Sequence, residues 1–391
     1  MSENNPLWPL AQLNLYLSGY HSIECRCCQG YLKQSNGNGH KPALALETIQ
    51  QAVSEALPLG LRAVRLCGEH AFLYPAWDAL LAYLEKLELD VTIETNGSGL
   101  TKEQVARLAQ LRLPHLRIIV GWGQINQAAR TIETAPGAIR PDDIRPDSIR
   151  PDGIRSDIIR MAGIRALTEA GLQVQMVFPI TRRTTGEIPV VINFAGQAGV
   201  KTIRFTSIPP KINIMPEHLG SNFGPGSSTG EALTVEEIIA LGYKYERRLS
   251  NTAQVHLFFD HPPAFRGLHP QARVDGQGFC TLLNNLNILP GGVVALCSAV
   301  EAIPELAFGK IGAGSLEGIW LNNPVLQTLR DGMPDRLEGI CSHCLMKSAC
   351  MGYCIAENYL RSGTYFGPNW FCQTAEQVGL FPAGRMIENV W

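Results

Sequence analysis

Seven of the chain's 11 cysteines stand from residue 280 onward, and their spacing is the densest chemical signal in the sequence. Cys341, Cys344, Cys350 and Cys354 follow a C-x2-C-x5-C-x3-C pattern, with a lone Cys372 after a gap. Upstream stand Cys280 and Cys297, with Gly292 placed five residues before Cys297. Four thiolates at such intervals can converge from short turns onto one or two metal centres. A disulfide framework belongs to short secreted chains, and no secretory leader is read at the start of this one. Metal is therefore the expected use of these thiols. CxxC pairs also build zinc ribbons, so zinc and iron–sulfur both stand at this point.

Bulk composition narrows the class further. The chain has 391 residues, 45% of them hydrophobic and 17% charged, which describes a folded protein large enough for two domains. Its 33 basic and 35 acidic residues give a net charge of −2, with no nucleic-acid or membrane-surface footprint. No apolar run reaches the length of a membrane span. Cysteines in this number, read without a leader, suggest a reducing, cytoplasmic setting.

The residues that could do chemistry in the first half lie where short apolar runs end. Strands are expected near 13–17, 63–67, 91–95, 116–121, 174–179 and 202–208. Helices are expected between them near 45–57, 76–87, 102–111, 158–170 and 188–198. Buried, β-rich strands alternating with helices argue a parallel sheet, and six units suit a partial (β/α)6 barrel of the TIM type. In such barrels the chemistry gathers in the loops at the C-terminal ends of the strands. Those loops read Tyr20-His21-Ser22-Ile23-Glu24-Cys25-Arg26-Cys27-Cys28, Leu66-Cys67-Gly68-Glu69-His70, Glu94-Thr95-Asn96-Gly97 and Val120-Gly121-Trp122-Gly123.

Taken together, C-x11-G-x4-C, C-x2-C-x5-C-x3-C and the final Cys372 resemble the SPASM domain, which in its family follows a radical-SAM barrel. The resemblance covers nearly the whole chain and is weakest over residues 120–160. It implies two auxiliary [4Fe–4S] clusters, the nearer on Cys280, Cys297 and Cys354, the outer on Cys341, Cys344, Cys350 and Cys372. Asp275 or an open iron would complete the nearer one, because the family's further cysteine is missing. The resemblance also implies a third cluster, binding S-adenosylmethionine, at a C-x3-C-x2-C site. Here Cys25 and Cys28 match the second and third positions, while His21 stands where the first cysteine belongs. Imidazole can ligate cluster iron but raises its potential. Gly68 and Glu69 survive from the family's Gly-Gly-Glu-Pro, with Cys67 and His70 at the altered positions. Glu94 and Asn96 agree with the family's Glu-Thr-Asn-Gly, and these four residues would line the cofactor pocket. Arg336, Lys347 and Arg361 are candidates to balance cluster charge, and His343 is expected in solvent.

Two functions follow from this resemblance. One is a peptide maturase, working on a ribosomally made precursor through a 5′-deoxyadenosyl radical, with stretches most like maturases for precursors with Nif-eleven-type leaders. The other is a degenerate homologue that binds precursor peptide or an active maturase partner. The implied partners are a precursor peptide and either a leader-recognition protein or a maturase, with no nucleic acid and no membrane. The domain division expected is 8–208 for the barrel, 209–272 for a linker and bridging helix, and 273–391 for the SPASM domain. Thr234-Val-Glu-Glu carries a capping pattern that opens the bridging helix. Residues 139–158 hold four five-residue repeats, three with proline, expected as an exposed coil replacing part of the fourth connection.

Overall fold

The computed structural model describes residues 8–17, 43–68, 70–97, 99–122, 153–207, 232–247, 254–266, 283–301 and 303–387. The expected sites at His21, Cys25, Cys28, Glu69, Asp275 and Cys280 lie outside them, as do the first repeats.

Six parallel strands form in the expected places: β1 (Gln12–Tyr16), β2 (Ala63–Cys67), β3 (Asp90–Thr95), β4 (Leu116–Gly121), β5 (Gln173–Ile180) and β6 (Thr202–Ser207). They lie side by side in chain order, each paired in parallel with the next. Helices α1 (Leu46–Ala56), α2 (Trp77–Leu84), α3 (Lys102–Ala109), α4 (Gly153–Glu169) and α5 (Ile188–Gln197) supply crossovers between them. This is the partial (β/α)6 barrel. Helix α1 shows why such helices dock: Ile49, Ala52, Val53 and Ala56 fall on one stripe and are all buried.

The sheet continues beyond six strands. After α6 (Val235–Gly242), which Thr234 caps with the full capping box, β7 (His256–Phe259) adds in parallel to β6. On the other edge, β8 (Asn285–Leu289) pairs in parallel with β1, and β9 (Val293–Ala295) and β10 (Ala307–Lys310) extend it antiparallel, followed by α7 (Leu316–Asn322) and α8 (Pro324–Gly332). The cysteine-rich half is thus joined to the barrel through ten strands of one sheet. Gly292 of the cysteine motif makes the β8–β9 turn at φ +80°, a conformation that favours glycine, so its place in the spacing is structural.

The strands were expected to be buried, and their two faces differ in composition. Leu13, Leu15, Val64, Leu66, Ile93 and Ile118 point to the helices and are buried. Their register partners one step along, Asn287, Asn14, Arg65, Thr92 and Arg117, stand in a row on the opposite, concave face. That face is mixed, with these polar side chains standing beside buried Tyr16, Cys67 and Glu94.

One expectation for the repeats is overturned. The fourth, Ile154-Arg-Ser-Asp-Ile158, lies in α4 instead of a coil. It alone carries serine where the others carry proline, so its backbone N–H is free to enter the helical ladder. Its Asp157 is buried and accepts a hydrogen bond from Trp122 Nε1 at 3.1 Å, which ties the repeat to the end of β4.

Candidate metal centre and barrel chamber

Four thiols from three short segments line one pocket. Cys341 ends a helical turn at Gly339–Cys341, Cys344 follows it, Cys350 ends α9 (Lys347–Cys350), and Cys372 sits in the first turn of α11 (Trp370–Gln377), two helices on from α9. All four face the same cavity, with Pro262, Ala264, Leu337, Ile340 and Phe381 making its apolar wall. They are between 5% and 8% exposed, so whatever they hold is shielded from water. Backbone N–H groups back two of the sulfurs: Asn369 N donates to Cys341 Sγ at 3.5 Å and Met346 N to Cys344 Sγ at 3.3 Å.

Local sequence explains why these turns form. Asn369 is the N-cap of α11, its side-chain oxygen accepting from Phe371 N at 3.1 Å and Cys372 N at 3.4 Å. Between Cys350 and Cys354, the residues Met351, Gly352 and Tyr353 all have positive φ, at +52°, +77° and +67°. Such a left-handed run costs each L-residue about 1–2 kcal/mol. Asn358, fully buried, holds it by donating to the Gly352 carbonyl at 2.8 Å.

Burial pushes the thiols of Cys341, Cys344, Cys350 and Cys372 above their ordinary values. Empty, the site therefore holds neutral thiols, and a metal that binds must displace their protons. Among the described residues no three His, Cys, Asp or Glu side chains are grouped to hold one ion, so the thiols ring the pocket rather than meet at a point. Four thiols around a dry cavity, with N–H···S bonds, fit an iron–sulfur cluster.

Cys297 follows β9 and accepts from Ala299 N at 3.5 Å, and Cys354 is the residue before α10 (Ile355–Ser362). Both are half-buried, and neither lines the four-thiol pocket. His343 is exposed. Of the three expected cations only Lys347 lines the pocket. Arg336 lies over the Phe366 ring, and Arg361 pairs with Glu357 at 3.1 Å. Two arginines that sequence reading missed, Arg266 and Arg385, place positive charge near Cys350 and Cys344.

In the barrel, Gly68 and Glu94–Asn96 stand at the C-terminal ends of β2 and β3, where the Thr95 hydroxyl accepts from Gly97 N at 3.1 Å and closes the turn. Glu94 is buried; one of its oxygens accepts from Arg65, and the other has no hydrogen-bond partner among the described residues. That open acceptor fits an amine or hydroxyl of a ligand such as S-adenosylmethionine. Cys67, on the concave face beside Arg65, is packed against Tyr16 and Leu289. On β6 the Thr206 hydroxyl is also buried without a partner among the described residues.

Comparison with known proteins agrees with this geometry. Residues 22–120 match the radical SAM superfamily, and residues 280–345 match the SPASM iron–sulfur cluster-binding domain. The chain thus carries a radical-SAM match followed by a SPASM match. It is 24% identical over 323 residues to the PqqA peptide cyclase of Rhizobium meliloti (strain 1021), covering 80% of this chain and 74% of that one. Its fold is similar to Streptococcus suis SuiB bound to S-adenosylmethionine, at a TM-score of 0.65 and 15% identity, over 94% of this chain and 77% of that one. SuiB bound to the precursor peptide SuiA gives 0.63 and 16%, over 94% and 76%. No helix among the described residues is long and apolar enough to cross a membrane.

Proposed function

We propose that this chain modifies a ribosomally synthesised precursor peptide, in the cytoplasm, by abstracting a hydrogen atom from one of its residues. The observation that carries this reading is the four-thiol pocket, attached through one sheet to a half-barrel whose concave face carries a row of polar side chains. The names of its relatives, a PqqA peptide cyclase and a SuiB seen with its precursor peptide, support a peptide as the substrate class.

In this reading Cys341, Cys344, Cys350 and Cys372 hold the outer auxiliary cluster, and Cys280, Cys297 and Cys354 hold the nearer one. His21, Cys25 and Cys28 hold the third, with Gly68, Glu69, Glu94 and Asn96 around S-adenosylmethionine. Bound and reductively cleaved, that cofactor supplies a 5′-deoxyadenosyl radical. The chain's own part is positioning and exclusion of water. Glu94 offers its open oxygen to the cofactor's polar groups while Arg65 fixes its orientation. Asn14, Thr92 and Arg117 present hydrogen-bonding groups along the concave face to the peptide.

A second reading has its own observation. Arg65 already occupies one oxygen of Glu94, and a buried cysteine side chain stands before Gly68 where the family has glycine. In that reading the protein binds precursor peptide, a leader-recognition protein or an active maturase without cleaving the cofactor. Anaerobic reconstitution followed by assay for 5′-deoxyadenosine under strong reductant separates the two. Turnover by the wild type ends the second reading. Turnover only after His21→Cys with Cys67→Gly ends the first.

A further inference from the structure

Between the thiol pocket and the concave face lies a charged junction that no motif foretold. Asp260 directly follows β7. Its carboxylate accepts from Arg204 of β6 at 2.5 Å, from Arg266 at 3.2 Å and from the Tyr353 hydroxyl at 2.6 Å. Tyr353 belongs to the left-handed turn between Cys350 and Cys354, so one carboxylate touches the barrel and the cysteine-rich segment together. Arg266 is held on every side. Its Nε donates to the His261 carbonyl at 2.7 Å, its guanidinium lies 4.6 Å from the Phe258 ring centroid, and its own carbonyl accepts from Arg385 at 3.0 Å. Arg385 in turn contacts the sulfur of Met346, which lines the thiol pocket.

Two guanidinium groups share one carboxylate in a site where Arg204, Arg266 and Asp260 are each under 15% exposed. Water screens such charges poorly. On the pocket side, the charge of Arg266 reaches Cys350. On the chamber side, Arg204 lies on the strand face opposite that of Ile203 and Phe205, which are buried among the helices.

We propose that Arg266 is a positioning residue that, balanced by Asp260, sets the reduction potential of the cluster on Cys341, Cys344, Cys350 and Cys372, with Arg204 tying that balance to the chamber. The inference rests on the reading of these four cysteines as cluster ligands. Reduction adds one negative charge to the cluster, so a fixed positive charge nearby favours the reduced form and raises the potential. Asp260 draws off part of that effect, and Arg204 draws part of Asp260 away from Arg266.

The test is a redox titration followed by electron paramagnetic resonance on the anaerobically reconstituted full chain, with iron and sulfide measured in each sample. The signal missing from Cys350→Ser identifies the outer cluster. Arg266→Gln is expected to move its midpoint to a more negative value and Asp260→Asn to a more positive one, with Arg266→Lys close to wild type. Arg204→Gln, which leaves Asp260 wholly to Arg266, moves it negative by less than Arg266→Gln does. A general loss of packing would not give opposite signs. Should Arg266→Gln fail to retain iron, the sign of the Asp260→Asn shift decides. Shifts of the same sign, or none at unchanged iron content, overturn the inference. A wild type without a signal sensitive to Cys350→Ser overturns the reading of the thiols and this inference with it.

Discussion

Asn369 carries more than its size suggests, and replacing it shows how far one side chain can govern the thiol pocket. It is 1% exposed, its oxygen caps α11 through Phe371 N and Cys372 N, and its backbone N–H supports Cys341. Asn369→Ala removes the cap, which costs about 1–2 kcal/mol. It also removes Nδ2, a buried donor without a partner, which returns part of the cost, of order 1 kcal/mol. The void left behind in a tight interior takes some of that back. The net expectation is a destabilisation of about 0.5–1.5 kcal/mol. Asn369→Ser keeps an oxygen at the cap and carries no orphan amide, so it should lose about half as much or less. Urea unfolding of the metal-free protein, followed by tryptophan fluorescence with Trp370 as the adjacent reporter, measures both. The reasoning is refuted if alanine lies within about 0.3 kcal/mol of wild type, or if serine proves worse than alanine.

His261 is buried between Phe259 and Phe371, and burial holds its imidazole down at about 4 from an ordinary 6.5. The unfolded chain therefore binds a proton that the folded one refuses, so stability falls as pH drops from about 6.5 to 4, by up to about 3 kcal/mol. His261→Phe should flatten this limb by one proton in unfolding curves taken across that range. Gly242 approaches the same ring so closely that an added Cβ would lie 2.4 Å from His261 Cε1. Gly242→Ala should cost about 1–3 kcal/mol by thermal unfolding, and pairing it with His261→Ala should recover part of that loss. Trp122→Phe strips a donor from the buried Asp157, with an expected cost of about 1–3 kcal/mol in urea, smaller in an Asp157→Asn background. Cys372→Ala should lower the iron and sulfide retained after reconstitution by about one cluster's worth while the near site keeps its own, read by metal analysis.

Most of the barrel was legible because its strands are short β-rich runs and its helices repeat apolar residues at helical spacing. Residues 63–67 and 116–121 were placed to the residue, since Arg62 and Gly121-Trp122 mark abrupt changes of pattern. The outer thiol set was legible for another reason: x2 and x5 spacings leave a chain little freedom except to turn back on itself, and Cys341, Cys344, Cys350 and Cys372 do line one pocket. What escaped notice was the alternation Asn14/Leu15, Arg65/Leu66 and Thr92/Ile93, which already distinguished an apolar face from a mixed one. A parallel strand is usually apolar on both faces, and that habit hid the concave chamber.

The junction at Asp260 was hidden for a different reason. Arg266 stands six residues on, but the other two partners lie 56 residues upstream and 93 residues downstream, and only the pairing of β6 with β7 and the left-handed turn before Cys354 bring them together. Cysteine spacing reports where thiols can converge, because that is set within a few residues. The charged residues near them come from β6 and from the segment after β7, and spacing carries no information about those. Thiols that line one pocket can thus be read from one segment of chain, whereas the charge beside them is a property of the assembled fold.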